Sequence, residues 1–225
     1  MDGWFFSAAE RVLSHGDGRP IAVGTTHEVV GPPIPCAWGL HACDSALSAF
    51  FYAPVPIVWR VRLAGDIAHG DDKACATSRT YLSGGVDASE VIDSFFRKCA
   101  LDVAHLWDAP EVVLEFLKTG KEELMAAAKD AAWGASEKAA WNVIEKKAWL
   151  SSWGVFFVPC LSTLSAAEAT AWASLFAVST AAANANRCTT AEESVALESA
   201  MNAARANQNR LLESALYKLI EGETQ

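Results

Sequence analysis

The stretch Cys36-Ala37-Trp38-Gly39-Leu40-His41-Ala42-Cys43 decides the fold. It follows a loop that Gly31-Pro32-Pro33 breaks, because proline supplies no donor to a strand and restricts the residue before it. We interpret the stretch as a structural turn in which the histidine is hydrogen-bonded. The residues to which we assign this structural role are Cys36, Gly39, His41 and Cys43.

Regular structure is predicted to resume after this turn. Asp44 is expected to cap a helix over residues 45–52, where apolar residues recur at helical spacing. Residues 57–63 alternate with a period of two and predict a strand. We interpret Ala64-Gly65-Asp66 as the turn that ends this strand, and residues 74–82 as a second strand that pairs with the first.

From Asp87 onward the sequence predicts helices. Pro110 suits the first turn of one helix, and Gly120 suits its C-terminal cap. Three tryptophans recur every eight residues in a later alanine-rich stretch, a spacing that winds them around a helix. We predict that these tryptophans form a surface for a partner. The three residues are Trp133, Trp141 and Trp149.

These elements predict an α+β fold with two parts. Residues 1–85 are expected to form a small antiparallel sheet domain. Residues 86–225 are expected to form an Ala/Trp-rich helical bundle that packs beside it. Exposed tryptophans on such a bundle are also compatible with self-association into a homo-oligomer.

Composition and charge narrow the function. The net charge is −9 and the basic residues are scattered, so we predict no direct nucleic-acid binding. The first residues lack a basic segment followed by an apolar one, so no cleavable signal is expected. Six cysteines without such a signal are expected to be reduced thiols, and the predicted location is the bacterial host cytoplasm.

A long uncharged run bears on membrane contact. No charged residue lies between Lys147 and Glu168, a distance sufficient to cross a bilayer. Pro159 and several serines interrupt the run, so two buried helices explain it better and we predict no membrane contact. A membrane-active helical hairpin over residues 148–186 is the alternative.

The cysteines and the histidine of the turn suggest two kinds of site. With Cys75 from the neighbouring strand, Cys36, His41 and Cys43 offer four zinc ligands, but no Cys-x-x-Cys pair is present. Cys43 and His41 can instead act as a nucleophile and its base, although no third group orients them. We favour the structural role and predict no metal and no cofactor.

Polar side chains of the predicted sheet suggest a ligand site. Arginines two apart on a strand share a face, and the next strand adds a third. Together they can receive a phosphate or carboxylate, or they can pair with acids of the helical part. The ligand-binding candidates are His41, Tyr52, Arg60, Arg62 and Arg79.

The first half resembles a family of uncharacterised phage, prophage and actinobacterial proteins. The resemblance rests on Gly39 to Cys43, on a helix with Tyr52, on a strand from Val61 to Ile67 and on a strand from Lys73 to Arg79. The C-terminal stretch from Gln208 to Glu213 also looks like a motif of that family. The family has no settled activity, so the resemblance implies context and no mechanism.

A fainter similarity links the same segment to small ADP-ribosyltransferase-like domains. It implies a nucleotide or transferase site lined by His41, Tyr52 and Arg60. No glutamate of the first part ends a late strand, as a catalytic glutamate of such enzymes would. We therefore favour an accessory protein that binds a host or viral protein, with inhibition of a host defence system as one outcome. The ADP-ribosyltransferase-like enzyme is the alternative.

Overall fold

The fold is α+β, as the sequence predicts. In this computed structural model the described residues are 1–53, 55–102, 104, 109–132 and 191–222. The strands are β1 Asp2–Ser7, β2 Thr26–Glu28, β3 Leu40–Cys43, β4 Ile57–His69 and β5 Lys73–Asp87. The helices are α1 Ala46–Tyr52, α2 Ser89–Asp102, α3 Glu111–Thr119, α4 over residues 122–132 and α5 Ala191–Gly222.

The strands form one antiparallel sheet that closes on itself. Their order is β2-β5-β3-β1-β4, and β5 also pairs with β4. β1 meets β3 where Trp4 lies opposite Cys43. Because β1, β4, β5 and β3 each pair with two others of this set, they form a ring, and closure of a sheet removes its free edges.

β4 and β5 form a hairpin longer than the sequence predicts. Both predicted strands are confirmed, but residues 64–66 do not end the first of them. A register shift lies there, between Ala64 and Ile67, and Gly65 has a φ of 75°. A glycine in this conformation is typical of a β-bulge, so the strand bends at Gly65 and continues to His69.

The core lies inside the ring of strands. The rings of Trp59 and Tyr81 meet edge to face with centroids 5.3 Å apart. The Trp59 Nε1–H donates to Ser7 Oγ at 2.9 Å, which satisfies the indole donor in the interior. Leu40 and Leu63 pack in the same buried cluster.

α1 starts one residue later than the sequence predicts. Ser45, and not Asp44, is the N-cap: its extended backbone lets Oγ accept a hydrogen bond from the Ser48 amide at 3.1 Å. The helix buries Phe50 against Phe6, with ring centroids 5.6 Å apart. It ends at Tyr52, where it reaches the surface.

The C-terminal part of α5 packs on the outer face of the sheet. Leu212, Leu216 and Ile220 are buried and recur at helical spacing. The Tyr217 ring meets the Trp4 ring with centroids 5.0 Å apart. By contacts between residues, Met1–Ile92 and Arg205–Gln225 form one compact unit, and Asp93–Ala204 form another. The division at residue 85 stays a prediction.

The second unit contains a hydrophobic cluster of its own. Val113, Phe116 and Leu117 of α3 pack with Ala100 of α2 and Ala128 of α4.

α3 ends as its sequence predicts and begins one residue after Pro110, which is its N-cap and not part of its first turn. Pro110 precedes it, and Gly120 caps it with a φ of 65°, as the sequence indicates. Most of the predicted helical bundle lies outside the described residues, including Trp133, Trp141, Trp149 and residues 148–186. Within the described part of the chain, no helix combines the length and the apolar character that crossing a membrane requires.

Candidate functional site

Two strands bring cysteine, histidine and lysine side chains to one face of the sheet. On β3 and β5, His41 lies opposite Cys75, and Cys43 lies opposite Lys73. Residues opposite each other on antiparallel strands project from the same face, and so do residues two apart on one strand. All four side chains therefore belong to one outer patch.

The loop before β3 carries Cys36 over this patch. Ile34 and Trp38 exchange two backbone hydrogen bonds of 2.8 Å, and the Ala37 amide donates to the Ile34 carbonyl at 3.0 Å. Pro35 is the second residue of this turn and Cys36, with a φ of 64°, is the third. A left-handed third residue after proline defines a type II turn, a position that favours glycine. A cysteine therefore stands where the backbone prefers no side chain.

Gly39 meets a strict steric requirement in the same segment. Its φ is 119°, and a Cβ added to it would lie 3.3 Å from the Ala76 carbonyl oxygen, the Cys75 Cβ and the Pro33 Cβ. A side chain at this position would be both strained and crowded. The structural role predicted for Gly39 therefore has a geometric cause.

His41 stabilises the Cys36 turn through a hydrogen bond. Its Nε2 accepts a hydrogen bond from the Cys36 amide at 3.3 Å, a contact of the kind expected from the sequence. Burial, followed by the charges of Lys73 and Arg79, lowers the pKa of His41. The imidazole is consequently neutral near pH 7 and able to accept this hydrogen bond.

Lys73 joins the Cys36 turn to the end of α1. Its Nζ lies 3.6 Å from the centroid of the Tyr52 ring, a cation–π contact, and it is within hydrogen-bonding reach of the Cys36 thiol. Burial lowers the pKa of Lys73, but its hydrogen bonds to Cys36 and Tyr52 more than offset this, so the pKa is raised. Lys73 is therefore a fixed cation at the centre of the patch.

Tyr52 is fixed by a carboxylate of the β4–β5 turn. Its hydroxyl donates to Asp72 Oδ1 at 2.9 Å. This hydrogen bond, helped by burial and the charge of Asp72, raises the pKa of Tyr52. The phenol is therefore a neutral donor, and its ring contacts Lys73.

The buried thiols do not support the cysteine nucleophile considered from the sequence. Cys43 is buried, and burial raises the pKa of its thiol to about 12. The thiolate needed for attack is scarce at neutral pH at such a pKa. Burial also raises the pKa of Cys75. Within the described residues, no group of three or more His, Cys, Asp or Glu side chains is placed to hold a metal ion.

Large apolar side chains are exposed around the Cys36 turn. The exposed fractions are 93% for Val30, 52% for Ile34, 50% for Trp38 and 55% for Tyr52. The Trp38 Nε1–H donates to the Val30 carbonyl at 3.0 Å, which holds the indole against the loop. We call these four residues, with Cys36 and Lys73 between them, the Trp38–Tyr52 surface.

Part of the chain is similar to an uncharacterised family. A family model described as Domain of unknown function (DUF7666) matches residues 17–94, less than half of the 225 residues. No curated protein and no solved structure matches the chain. The similarity to an uncharacterised family is thereby confirmed, whereas a phage or actinobacterial origin stays a prediction. The matched segment contains every residue of the Trp38–Tyr52 surface.

The three arginines proposed as ligand-binding residues lie in separate places. Arg62 donates to both carboxylate oxygens of Asp2, at 2.6 and 2.9 Å, on the outer face. The Arg60 guanidinium lies 4.5 Å from the centroid of the Trp4 ring. Arg79 lies opposite the core residue Leu63 and therefore does not share a face with the other two. The DUF7666-like segment thus brings His41 and Tyr52 to Lys73 without these arginines.

Arg79 belongs to a buried polar network. It is 2% exposed, and its Nη1 donates to the His41 carbonyl at 2.6 Å. Its Nη2 and Nε donate to the Tyr81 hydroxyl at 2.6 and 3.2 Å, and its guanidinium lies 3.8 Å from the centroid of the Phe5 ring. His27 completes the network, with Nδ1 3.3 Å from the same hydroxyl.

This network spans a gap between two strands. β5 pairs with β3 over residues 73–76 and with β2 over residues 78–80. Arg79 lies on the β2-paired part of β5 and reaches the His41 carbonyl of β3, so its side chain links two of the strands that pair with β5. Its role is therefore structural.

The free energy of unfolding is predicted to fall as the pH drops through about 6.5. Burial, followed by the charges of Arg19 and Arg79, lowers the pKa of His27 below 6.5, and the pKa of His41 is lowered as well. Below about pH 6.5 the unfolded chain therefore takes up protons that the folded chain does not, which favours unfolding.

Urea denaturation at about pH 7.5 and about pH 5.5 measures this loss in a range where most carboxylates stay ionised. The His27→Gln, His41→Gln double variant should lose most of the difference between the two conditions. A double variant that keeps the full difference would contradict the assignment to these histidines.

Lys73, Asn209 and Glu213 contribute contacts here that the sequence analysis did not predict. Lys73 begins β5 directly opposite Cys43, a pairing that depends on a register the sequence does not reveal. Asn209 and Glu213 belong to the family-like C-terminal motif, but their contacts to α1 span more than 160 residues. The only sequence signal for these two residues was the family-like stretch from Gln208 to Glu213.

Proposed function

We propose that this chain is an accessory protein that binds another protein through the Trp38–Tyr52 surface. The observation that carries the proposal is the exposure of Val30, Ile34, Trp38 and Tyr52 around one turn. Exposed apolar side chains grouped within a polar rim are typical of protein interaction sites, and Trp and Tyr are enriched among the residues that dominate binding energy.

The surface is ordered before a partner arrives. Pro32, Pro33 and Pro35 restrict the backbone of the loop, and the hydrogen bonds between Ile34 and Trp38 close it. A surface that is rigid when free loses less conformational entropy on binding, so more of its contact energy contributes to affinity.

The charges around the surface favour a basic partner. Asp44 and Asp71 are exposed, and Asp72, which binds the Tyr52 hydroxyl, accepts from the Asp44 amide through its carbonyl at 3.4 Å. Lys73, the local cation, is already engaged by Tyr52 and Cys36. The whole chain carries a charge of −9. We therefore propose a partner with an apolar centre and a rim of lysine or arginine.

The resemblance extends this proposal to the identity of the partner. The phage-type resemblance implies that the partner is a host or viral protein. It also implies a role against a host defence system. The predicted tryptophan surface at 133, 141 and 149 is a second region through which the same partner can be contacted.

Trp38→Ala is expected to weaken binding about 30-fold, the effect of losing about 2 kcal/mol at a central aromatic contact. The full-length chain serves as bait, a protein recovered in stoichiometric amount is purified, and its affinity is measured by calorimetry. Val23→Ala is the matched control, since Val23 is also an exposed apolar residue but lies outside the surface.

Two outcomes would contradict the proposal. One is an equal affinity of the Trp38→Ala variant and the wild-type chain. The other is stoichiometric binding of NAD to the wild-type chain that the His41→Ala variant lacks, which would move the function to the ADP-ribosyltransferase-like alternative.

A further inference from the structure

The C-terminal helix α5 supplies hydrogen-bond acceptors to the first backbone amides of α1. Glu213 Oε1 accepts a hydrogen bond from the Ala46 amide at 3.1 Å, and Asn209 Oδ1 accepts one from the Leu47 amide at 3.1 Å. The next amide, that of Ser48, donates to Ser45 Oγ. The first amides of a helix have no acceptor within it. In α1, two of these amides depend on residues of α5.

α1 is a helix that needs this support. It has seven residues, fewer than an isolated helix requires to be stable in water. The carboxylate of Glu213 also lies at the positive end of the helix dipole, where a negative charge is favourable. α1 is therefore stabilised partly by side chains that are more than 160 residues away in sequence.

α5 is in turn anchored through buried side chains of its own. Leu212, Leu216 and Ile220 are buried, and the Tyr217 ring contacts the Trp4 ring of β1. This anchoring fixes Asn209 and Glu213, which lie four residues apart and so share one face of the helix. Both acceptors therefore reach α1 from a rigid element.

We infer that Asn209 and Glu213 are positioning residues for the Trp38–Tyr52 surface. They hold the first turn of α1, and the last residue of α1 is Tyr52, whose ring contacts Lys73 and whose hydroxyl binds Asp72. Release of the first turn loosens a helix of only two turns and with it the placement of Tyr52. The effect on binding rests on the proposed function, whereas the effect on α1 and Tyr52 does not.

The partner-free test is hydrogen exchange of the full-length chain, followed by NMR. In the Asn209→Ala, Glu213→Ala double variant the Ala46 and Leu47 amides are expected to exchange at least about fivefold faster, the size of effect that loss of a helix cap produces. The Tyr52 ring signals are expected to shift. Leu211→Ala is the control, because Leu211 is an exposed residue of the same helix.

Conservative variants separate hydrogen bonding from general stability. Asn209→Asp and Glu213→Gln keep an acceptor oxygen, so they are expected to retain slow exchange at Ala46 and Leu47 and an unshifted Tyr52. If the double alanine variant does not fold, the exchange rate of the Leu47 amide is compared between the single variants Asn209→Ala and Asn209→Asp. Faster exchange in Asn209→Ala alone is then the expected result. Equal exchange at Leu47 in these two variants would overturn the inference.

The second arm measures affinity for the purified partner. The double alanine variant is expected to bind about fivefold more weakly, and the conservative variants are expected to bind as the wild-type chain does. Faster exchange at α1 with unchanged affinity would overturn the link to the surface. Failure of Trp38→Ala to weaken binding would instead remove the proposed function and leave the exchange result standing.

Discussion

Replacing Arg79 with alanine is expected to lower the free energy of unfolding by about 3 kcal/mol. The side chain is 2% exposed and fills space against the Phe5 ring. Its removal leaves a cavity, and it leaves the part-buried His41 carbonyl without this charged donor. A large-to-small truncation in a core typically costs about 2–5 kcal/mol, and loss of one partner of a buried polar group typically costs about 1–3 kcal/mol.

One effect opposes this loss. Burial disfavours the charged guanidinium and lowers the pKa of Arg79, so removal of the charge relieves a desolvation penalty. The neutral partners of Arg79 offset that penalty only in part, which is why we expect about 3 kcal/mol and not the about 5 kcal/mol of a large core truncation.

Urea denaturation measures the effect, and Arg62→Ala is the matched control. Arg62 also binds a partner through two hydrogen bonds, but both Arg62 and Asp2 are exposed to solvent. Exposed ion pairs contribute little to stability, so the control should keep the wild-type denaturation midpoint. Wild-type stability in Arg79→Ala would show that the network is not structural.

The strands could be predicted from local pattern, but their register could not. The period of two over residues 57–63 predicts β4, because one face of a half-buried strand must be apolar. The face on which Arg79 lies depends on the irregular register between β4 and β5, including the bulge at Gly65. A shift of one residue moves a side chain to the opposite face, so the three arginines were grouped incorrectly on one face.

The candidate site shows the same division between local and distant information. The turn at Cys36 could be predicted, since costly residue types are concentrated there, but His41 and Cys43, which were assigned to the same turn, lie on strand β3. The central position of Lys73 depends on strand pairing, and the support from Asn209 and Glu213 depends on a helix near the other end of the chain. Neither follows from periodicity or local motifs, because both are tertiary contacts.

Cys36 reports directly on whether a partner covers the Trp38–Tyr52 surface. Its thiol is exposed, next to Lys73 and two residues before Trp38, whereas Cys43 and Cys75 are buried. Alkylation needs access to the sulfur, so a partner seated on this surface must block it. Site-resolved mass spectrometry distinguishes Cys36 from the other cysteines.

The decisive measurement is the rate of Cys36 alkylation with and without the partner. At a partner concentration about ten times Kd, about 9% of the chain is free, so the rate should fall about tenfold. A Val23→Cys variant supplies the control, because that exposed site lies outside the surface and should react equally fast in both conditions. A tenfold slower reaction at Cys36 alone is the result we predict. An unchanged rate at saturating partner would place the binding site elsewhere on the chain.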